Sequence, residues 1–485
     1  MKNCSIFVEC TFCYTIYIML SKDKRIPLSG ITIEAVAAEG KAIAHVDGMV
    51  LFVQFAVPGD VVNVMAVKKH SYMEGYITEI VQPSPHRLEP FCKHFGTCGG
   101  CKWQPLPYQM QLDAKTQQVY DQLVRIGHLD VPQVSPCIGS EKTTLYRNKL
   151  EFSFSNRRWF DFGESLEGLP ESQKCGLGFH VGRYFDKVLD IEQCWLQPEP
   201  SNAIRLFIKQ LAIERGLPFY DIRNNTGFLR NMFVRCNSKG EFMVIICFGQ
   251  ENKKEREALL DAVAARFPEI ISLYYVINLK KNDSISDQDC ILYKGEDAIY
   301  EQMENLRFKI GPKSFYQTNS DQAYKLYSVA RDFAGLTGSE TVYDLYTGTG
   351  TIAQFVSAKA GKVIGIEYVP EAIEDAWTNV KLNGITNCDF IAGDMKDILT
   401  DEFVAAHGHP DVVILDPPRA GIHPDVAGVI LNAKPEKIVY VSCNPASQAR
   451  DLAILQQDYR ITDVQPVDMF PHTHHVENVC RLIRK

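Results

Sequence analysis

The sequence lacks a general excess of positive charge, a long apolar run in its main body and a disulfide-like cysteine pattern. Its formal net charge of -8 argues against a protein that coats nucleic acid over its whole surface, so such a partner needs a local basic patch. No segment reaches the roughly 20 apolar residues of a membrane span. The 15 cysteines are mostly isolated, which is atypical of a secreted disulfide scaffold. We therefore expect a cytoplasmic protein that is not bound to a membrane.

The start of the chain is apolar and differs in composition from the rest of the sequence. It carries Glu9, is followed by positive charge at Lys22 and Lys24, and has no small-residue cleavage pattern. We interpret residues 1–25 as a disordered or misassigned start, with Met19 as an alternative first residue.

The remaining length exceeds one ordinary core, so several domains are expected. Over residues 26–84, short apolar runs separated by DG and PGD turns predict a small antiparallel barrel of the oligonucleotide-binding type, and a plain structural barrel is the alternative. Residues 85–310 hold a cysteine cluster and strand-like runs such as FMVIICF, which predict an α+β central domain. Within it, residues 107–127 read as a helix with Val119, Leu123 and Ile126 on one face.

Residues 311–485 form the most regular part of the sequence. Strand-like segments alternate with helices, which predicts an α/β fold with a parallel, doubly wound, Rossmann-like sheet. Asn319, followed three residues later by Gln322, can cap the first helix. The five strand-like segments are TVYDLY, KVIGIEY, CDFIAG, DVVILD and KIVYVS.

Carboxylates follow successive strands of this predicted sheet. DLYTGTGTIA is a glycine turn that opens a helix after Asp344, and Glu367 ends the next strand, where an acid can hold ribose hydroxyls. Asp394 ends the third strand, and DPPRAG after the fourth is a stiff turn that presents Asp416. The glycines fit a dinucleotide equally well, but the two-proline turn favours S-adenosylmethionine as the ligand.

VSCNP, residues 441–445, places Cys443 at the end of the fifth strand. Cysteine is often buried, so one interpretation is a small apolar side chain in the core. Its position at the edge that also holds Glu367, Asp394 and Asp416 favours a nucleophile.

A second cysteine pattern lies in FCKHFGTCGGCKW, which contains Cys92, Cys98 and Cys101. No packing argument requires this spacing, and three thiolates on a loop with two glycines can wrap a metal centre whose fourth ligand comes from elsewhere. The spacing leaves zinc and iron-sulfur open, because tetrahedral zinc sites also use C-x2-C pairs.

Basic residues interleaved with aromatics suggest contacts with single-stranded RNA. Arg147 and Lys149 in YRNK, and Arg158 in RRW, are the candidates for phosphate contacts, and an ordinary solvated strand face is the alternative. PHTHHVE holds a group of histidines that we interpret as RNA or phosphate contacts rather than zinc ligands.

In combination, these motifs resemble the RNA (uracil-5-)-methyltransferases, and within them the iron-sulfur-containing bacterial 23S ribosomal RNA enzymes with an amino-terminal TRAM domain. Thr347 and Tyr316 depart from the residues common in the family and touch none of the implied chemistry. The motifs that carry the resemblance are SFYQTN at 314–319, DLYTGTG at 344–350, DPPRAG at 416–421, VSCNP at 441–445 and HVENV at 475–479.

The resemblance implies roles for individual residues. Cys443 matches the nucleophile that adds to carbon 6 of uracil, Glu477 matches the base that later removes the proton from carbon 5, and Asp416 orients the base or the thiol. Cys194 matches the fourth ligand of a [4Fe-4S] cluster, with Cys175 as the fallback. The positions that match S-adenosylmethionine contacts are Gln317, Tyr346, Glu367, Asp394 and Asp416.

The implied activity is methylation of carbon 5 of a uridine, with 23S ribosomal RNA as the expected substrate, a flipped target base and no obligate protein partner, so a monomer is expected. The alternatives are the same chemistry on a transfer RNA or another ribosomal uridine, a non-catalytic iron-sulfur RNA-binding protein and an NAD-dependent oxidoreductase. Cytosine-5 methylation is disfavoured because the DPPR turn lacks a cysteine.

Overall fold

The computed structural model describes residues 25–161, 163–165, 167–182 and 184–485, so the predicted disordered or misassigned start lies almost wholly outside the described residues. The first structural unit is a six-stranded sheet with strand order β1-β5-β6-β4-β3-β2. Ala44, Leu51 and Val53 lie in its core. Its closure into a barrel stays a prediction. The strands are β1 (Arg25–Thr32), β2 (Ala35–Val36), β3 (Lys41–Val46), β4 (Met49–Gln54), β5 (Val61–Lys68) and β6 (Tyr72–Gln82).

A helix, α1 (Tyr108–Tyr120), connects this sheet to the central part of the chain and continues into a π-helical turn over Asp121–Ile126. The prediction of one apolar face is correct for Val119 and Leu123, which are buried, and wrong for Ile126, which is 65% exposed. A π turn adds a residue per turn and so rotates Ile126 away from the core.

The central part contains a mixed seven-stranded sheet of order β13-β12-β11-β10-β7-β8-β9 and a separate hairpin, β14-β15. β10 and β11 are buried along their whole length because α3 and α4 cover one face and a second apolar cluster, which includes Ile299 and Phe308, covers the other. The helices are α2 (Glu171–Lys174), α3 (Ser201–Glu214) and α4 (Lys253–Arg266). The strands are β7 (Lys149–Ser155), β8 (Gly176–His180), β9 (Val188–Asp190), β10 (Leu229–Cys236), β11 (Phe242–Phe248), β12 (Ile270–Ile277), β13 (Ile291–Gly295), β14 (Ile299–Met303) and β15 (Leu306–Ile310).

The carboxyl-terminal part is an α/β layer structure, and its five predicted strands form the parallel part of a seven-stranded sheet of order β18-β17-β16-β19-β20-β22-β21. The last two strands join it antiparallel. The strands are β16 (Thr341–Leu345), β17 (Lys362–Glu367), β18 (Cys388–Ala392), β19 (Val412–Leu415), β20 (Lys437–Ser442), β21 (Tyr459–Val467) and β22 (Glu477–Arg484).

Apolar clusters cover both faces of this sheet, so its ligands can approach only at the strand ends. Asn319 caps the first helix as predicted, because its side chain accepts a hydrogen bond from the Gln322 N–H at 3.3 Å. The helices are α5 (Ser320–Ala334), α6 (Thr351–Ser357), α7 (Pro370–Asn383), α8 (Met395–Ile398), α9 (Asp401–His407), α10 (Pro424–Ala433) and α11 (Pro445–Leu455). Of the helices in the described ranges, none has the length and apolarity to cross a membrane.

Candidate active site

The turn after β16 forms one wall of the candidate site. Gly348 and Gly350 have positive φ angles, and Tyr346 has a φ of 65°, so the chain reverses sharply before α6. The Gly348 N–H donates to Glu367 Oε2 at 3.1 Å, and the Val369 N–H donates to the other carboxylate oxygen at 3.0 Å. Glu367 therefore sits directly against the glycine turn.

Asp344 also lies near the end of β16, and its carboxyl group bonds to the glycine turn and to the start of α6. It is fully buried, and it accepts hydrogen bonds from the Thr347 hydroxyl at 2.5 Å and the Ala353 N–H at 3.0 Å. Burial raises its pKa to about 7. Asp344 therefore holds the glycine turn in place.

The turns after β19 and β20 are fastened to each other. Asn444 Nδ2 and the Ser447 hydroxyl donate to the Arg419 carbonyl oxygen at 3.1 and 3.0 Å. Gly421 has a φ of 82°, and a Cβ atom there would lie 2.2 Å from Asp451 Oδ2. The DPPRAG turn thus has one fixed geometry next to the turn that carries Cys443.

Strand register brings Cys443 and Glu477 together. Ser442 of β20 pairs with Asn478 of β22, so the next residues outward, Cys443 and Glu477, stand opposite each other at the edge of the sheet. Cys443 is partly exposed and Glu477 is 8% exposed.

The glycine turn, Glu367, the DPPRAG turn, Cys443 and Glu477 line one cavity of about 1700 Å³. This exceeds the roughly 300–1,000 Å³ of a site for one small molecule, so the cavity has room for a nucleoside cofactor and a flipped base together. The predicted site residues that line it are Gln317, Tyr346, Glu367, Asp394, Asp416, Cys443 and Glu477.

The innermost groups shift one another's proton affinity. Burial, together with Asp416, raises the pKa of Glu477 to about 8 against the opposing effect of Arg419. Burial, with Glu477 and Asp416, raises the pKa of the Cys443 thiol to about 11, and Arg419 acts in the opposite direction. Burial, with Asp344, raises the pKa of Asp416 to about 7. Burial and mutual repulsion thus make each of these groups harder to ionise, and Arg419 acts against this effect at Cys443 and Glu477.

The family comparison decides the class of this site. A family model described as tRNA (Uracil-5-)-methyltransferase matches residues 239–485, which is half of the chain. The chain belongs to this family. The resemblance read from the motifs is confirmed, and the NAD-dependent oxidoreductase alternative is not supported.

Relatives extend this result over almost the whole enzyme. An RNA methyltransferase from Porphyromonas gingivalis is 58% identical, with 92% of this chain and 98% of that one covered, and one from Chlorobaculum tepidum is 39% identical, with 87% and 89% covered. A solved tRNA (uracil-54, C5)-methyltransferase of Pyrococcus abyssi, in complex with S-adenosyl-L-homocysteine, has a TM-score of 0.73 and 27% identity, with 94% and 100% covered. The chain is thus an S-adenosylmethionine-dependent RNA methyltransferase of the uracil-5 class.

Motif analysis missed three residues of the methyltransferase site. Arg419 is exposed beside Cys443 and Glu477, and the DPPRAG motif already contained it. Tyr327, on the buried stripe of α5, lines the cavity beside Gln317 and Asp416. Phe470 also lines it, and the Arg147 guanidinium lies 5.0 Å from its ring. No motif gave Tyr327 a role in the site, and no sequence signal pointed to Phe470.

The four cysteines predicted as ligands line a second cavity of about 360 Å³, together with Arg147 and Trp195. Cys175, the fallback ligand, is not among its lining residues and donates instead to the Glu171 carbonyl oxygen at 3.4 Å. Across the described part of the chain, no group of three or more His, Cys, Asp or Glu side chains is arranged to hold a metal ion. The arrangement of these side chains therefore confirms neither the zinc nor the iron-sulfur interpretation.

The predicted RNA contacts fall into two places. Arg147 lines the cysteine cavity and covers Phe470 of the active site, so it lies between the two cavities. Lys149 is paired in register with Arg235 and lies over Phe233. Arg158, beyond the other end of β7, stacks on Phe160 and is ion-paired with Glu164.

The histidines of PHTHHVE lie in buried or partly buried surroundings that favour the neutral ring. Burial lowers the pKa of His472 to about 4 and of His475 to about 4, and His474 also has a lowered pKa, about 3. His472 is 8% exposed and contacts the ring of Phe91. An RNA contact through the His472 ring is therefore disfavoured, and one through His474 or His475 stays a prediction.

Proposed function

We propose that the enzyme methylates carbon 5 of a uridine in RNA through a covalent adduct between Cys443 and carbon 6. The observation that carries this proposal is the register of β20 and β22, which sets a thiol and a carboxyl group face to face in the cavity that also holds the glycine turn. A nucleophile and a base at one strand edge match the two demands of the reaction.

The proposed reaction has three steps: addition of the thiolate, transfer of the methyl group and elimination. The Cys443 thiolate forms a bond to carbon 6, and the electron pair of the 5,6 double bond moves toward the carbonyl at carbon 4, which makes carbon 5 nucleophilic. S-adenosylmethionine supplies an electrophilic methyl group, to which carbon 5 bonds as the carbon-sulfur bond of the donor breaks. Glu477 then takes the proton from carbon 5, the double bond re-forms, and the thiolate leaves.

The other residues of the cavity orient the reactants. Glu367, held against the glycine turn, would accept hydrogen bonds from the ribose hydroxyls of the cofactor, and Gln317, Tyr346 and Asp394, which line the same cavity, would contact the rest of it. Burial raises the pKa of Asp416 to about 7, so its protonated form is populated near neutral pH and would donate a hydrogen bond to a uracil carbonyl or orient the thiol. Arg419 offers positive charge to the developing anion.

We propose 23S ribosomal RNA as the substrate, on the resemblance to the cluster-containing ribosomal enzymes. Transfer RNA is the second candidate, because the solved Pyrococcus abyssi relative acts on uracil 54 of tRNA. The test incubates purified enzyme and S-adenosylmethionine with 23S ribosomal RNA or with tRNA, each tritiated at uracil carbon 5. The release of tritium into water is measured. Release from the ribosomal RNA supports the proposal, release from tRNA alone moves the substrate to tRNA, and release from neither contradicts uracil methylation.

The raised pKa values predict an alkaline activity profile. Glu477 must be ionised to remove a proton and Cys443 must be ionised to attack, and burial raises both pKa values, to about 8 and about 11. Turnover should therefore rise between about pH 6 and about pH 9, since the active forms gain population with pH. Single-turnover adduct formation by Glu477→Gln should still rise with ionisation of the Cys443 thiol, at a lower pH because Glu477 no longer raises the pKa of that thiol, and it should lack the inflection near pH 8. A flat or falling wild-type profile contradicts the assignment.

We propose that Cys92, Cys98, Cys101 and Cys194 hold a [4Fe-4S] cluster. The four thiols line one cavity, and among its other described lining residues His94 is the only histidine or acid. A cluster of four irons binds thiolates that lie farther apart than the ligands of a single zinc ion. When bound, the cluster supplies no group to methyl transfer. The thiols would hold the loop over residues 92–101 next to Trp195 and Arg147. We also propose that the amino-terminal six-stranded sheet is a TRAM-type barrel that binds RNA.

Substitution of a cavity cysteine should remove the metal. Cys98→Ser is expected to abolish the iron content and the brown colour of anaerobically purified protein, because three thiolates hold the cluster poorly. Cys175→Ser is the matched control, since it removes a partly buried thiol of the same region outside the cavity, and it should keep full iron. Iron retained in Cys98→Ser, or a colourless wild-type protein with stoichiometric zinc, contradicts the cluster.

A further inference from the structure

The hairpin that joins the last two strands overhangs the active site. Val467, the end of β21, pairs with Glu477, the start of β22, so residues 468–476 form a loop whose neck is that pair. We refer to residues 468–476 as the hairpin loop. Phe470 of this loop lines the active-site cavity together with Glu477. The position of the neck therefore sets the position of Glu477.

A buried ion pair fixes this neck. Lys115, in α1, donates from Nζ to Asp468 Oδ1, and both side chains are fully buried. Lys115 Nζ also donates to the Phe470 carbonyl oxygen at 3.3 Å. Asp468 accepts further hydrogen bonds from the Tyr108 hydroxyl at 2.7 Å and the Phe470 N–H at 3.0 Å. The Asp468 carboxylate thus bonds to both α1 and the hairpin loop, one residue away from the Val467–Glu477 pair.

The middle of the loop is tied to the same helix. The His472 N–H donates to Gln111 Oε1 at 2.9 Å, and the His472 carbonyl oxygen accepts from the Lys102 N–H at 2.8 Å. Gln111 Nε2 donates to the Leu106 carbonyl oxygen at 2.8 Å and is therefore itself fixed. The start of α1 and the segment just after the cysteines hold the loop at a second point.

The cap of α5 supplies a third attachment. Asn319 Nδ2 donates to the Met469 carbonyl oxygen at 3.0 Å, and Gln322 Nε2 donates to the Asp468 carbonyl oxygen at 2.8 Å. These bonds satisfy the carbonyl oxygens of Asp468 and Met469, and the Lys115–Asp468 pair satisfies the N–H and the carbonyl oxygen of Phe470.

Stability alone does not explain a fully buried ion pair. Moving both charges out of water costs several kcal/mol per ion, and apolar side chains of similar volume often stabilise a core as well or better. A buried ion pair differs from an apolar contact in that it favours the one arrangement of the two segments in which both charges are paired.

We infer that the Lys115–Asp468 pair is a positioning device for the reaction: it fixes the neck of the hairpin loop so that Glu477 faces Cys443 and Phe470 closes the cavity. The inference rests on the proposed roles of Cys443 and Glu477. It makes Lys115 and Asp468 positioning residues, since neither lines the cavity. It also explains why α1, remote in sequence from the sheet, packs against its last hairpin.

The test compares Lys115→Met with the double variant Lys115→Met/Asp468→Asn. The single variant leaves a buried charge unpaired and is expected to unfold at lower temperature, whereas the double variant removes both charges, keeps an acceptor for Tyr108 and should recover most of the thermal stability. Lys142→Met, which removes an exposed lysine ion-paired with Asp321, is the control and should change nothing.

The decisive readout is the step at which the double variant slows. A misplaced base delays proton removal, so kcat should fall about tenfold to a hundredfold with an unchanged KM for S-adenosylmethionine. Denaturation-resistant protein-RNA adduct should then accumulate on ordinary uridine RNA. A double variant with wild-type kcat and no adduct overturns the inference. If it does not fold, Tyr108→Phe, which removes one hydroxyl from Asp468, decides by the same adduct assay.

Failure of the proposed function gives a different result. Wild-type enzyme should form a stable adduct with RNA that contains 5-fluorouridine, because the base cannot remove fluorine as it removes a proton. If that adduct is absent, the covalent mechanism is wrong. If it forms and the double variant still behaves as wild type, only the positioning role is wrong.

Discussion

Replacement of Cys443 by alanine should abolish methyl transfer. Without a thiolate no bond forms at carbon 6, so carbon 5 stays too weak a nucleophile to take the methyl group. We expect a loss of roughly 10⁴-fold or more, the scale on which loss of a covalent nucleophile acts in other enzymes. Tritium release from RNA labelled at carbon 5 measures this loss, and binding of S-adenosylmethionine, measured by calorimetry, should remain.

The matched control for this substitution is Cys290→Ala. Cys290 is partly buried like Cys443, but it is not among the lining residues of the active-site cavity. This variant should keep wild-type tritium release. Retained activity in Cys443→Ala, or an equal loss in both variants, would contradict the assignment of the nucleophile.

Replacement of Glu477 by glutamine should stop the reaction one step later. The amide cannot accept the proton from carbon 5, so the methylated adduct forms and persists. We expect turnover to fall about 10²–10⁴-fold, the usual contribution of a positioned general base. A band of the protein-RNA adduct on denaturing gels, carrying label from the methyl group of the donor, is the measurement.

Combination of the two substitutions provides the control. Cys443→Ala/Glu477→Gln has no thiol to attack carbon 6, so the adduct band should vanish. Both variants carry glutamine at position 477, so only the thiol differs between them. Persistence of the band in the double variant would mean that another nucleophile forms the adduct. Full turnover in Glu477→Gln would mean that another group removes the proton.

Local patterns were enough to predict the sheet and most of the site. Each parallel strand was readable as a short apolar run, and the rules for such sheets bring Glu367, Asp394 and Asp416 to one edge whatever the details of packing. The confirmed cap at Asn319 depended only on neighbours three residues apart. Family resemblance then supplied Cys443 and Glu477, whose facing positions follow from the strand register.

Features that depend on long-range packing were not predictable in this way. Ile126 has the right spacing for an α-helical face, and only the π turn, which no propensity signals, turns it outward. The buried Lys115 has a partner 353 positions away, so nothing near it in the sequence marks it as paired. The histidines after Phe470 were predicted to contact RNA or phosphate, yet the chain buries His472, and burial lowers the pKa of His472 and His475.

The register between β20 and β22 has a consequence for how this site can change. Side chains alternate between the two faces of a strand, so a shift of β22 by a single position would turn Glu477 to the opposite face and align Asn478 with Cys443. Insertions within residues 468–476 are constrained only by the tethers of the loop, whereas a one-residue insertion within β22 itself would exchange a base for an amide. The spacing between Glu477 and the rest of its strand is therefore as much a part of the catalytic apparatus as the carboxyl group.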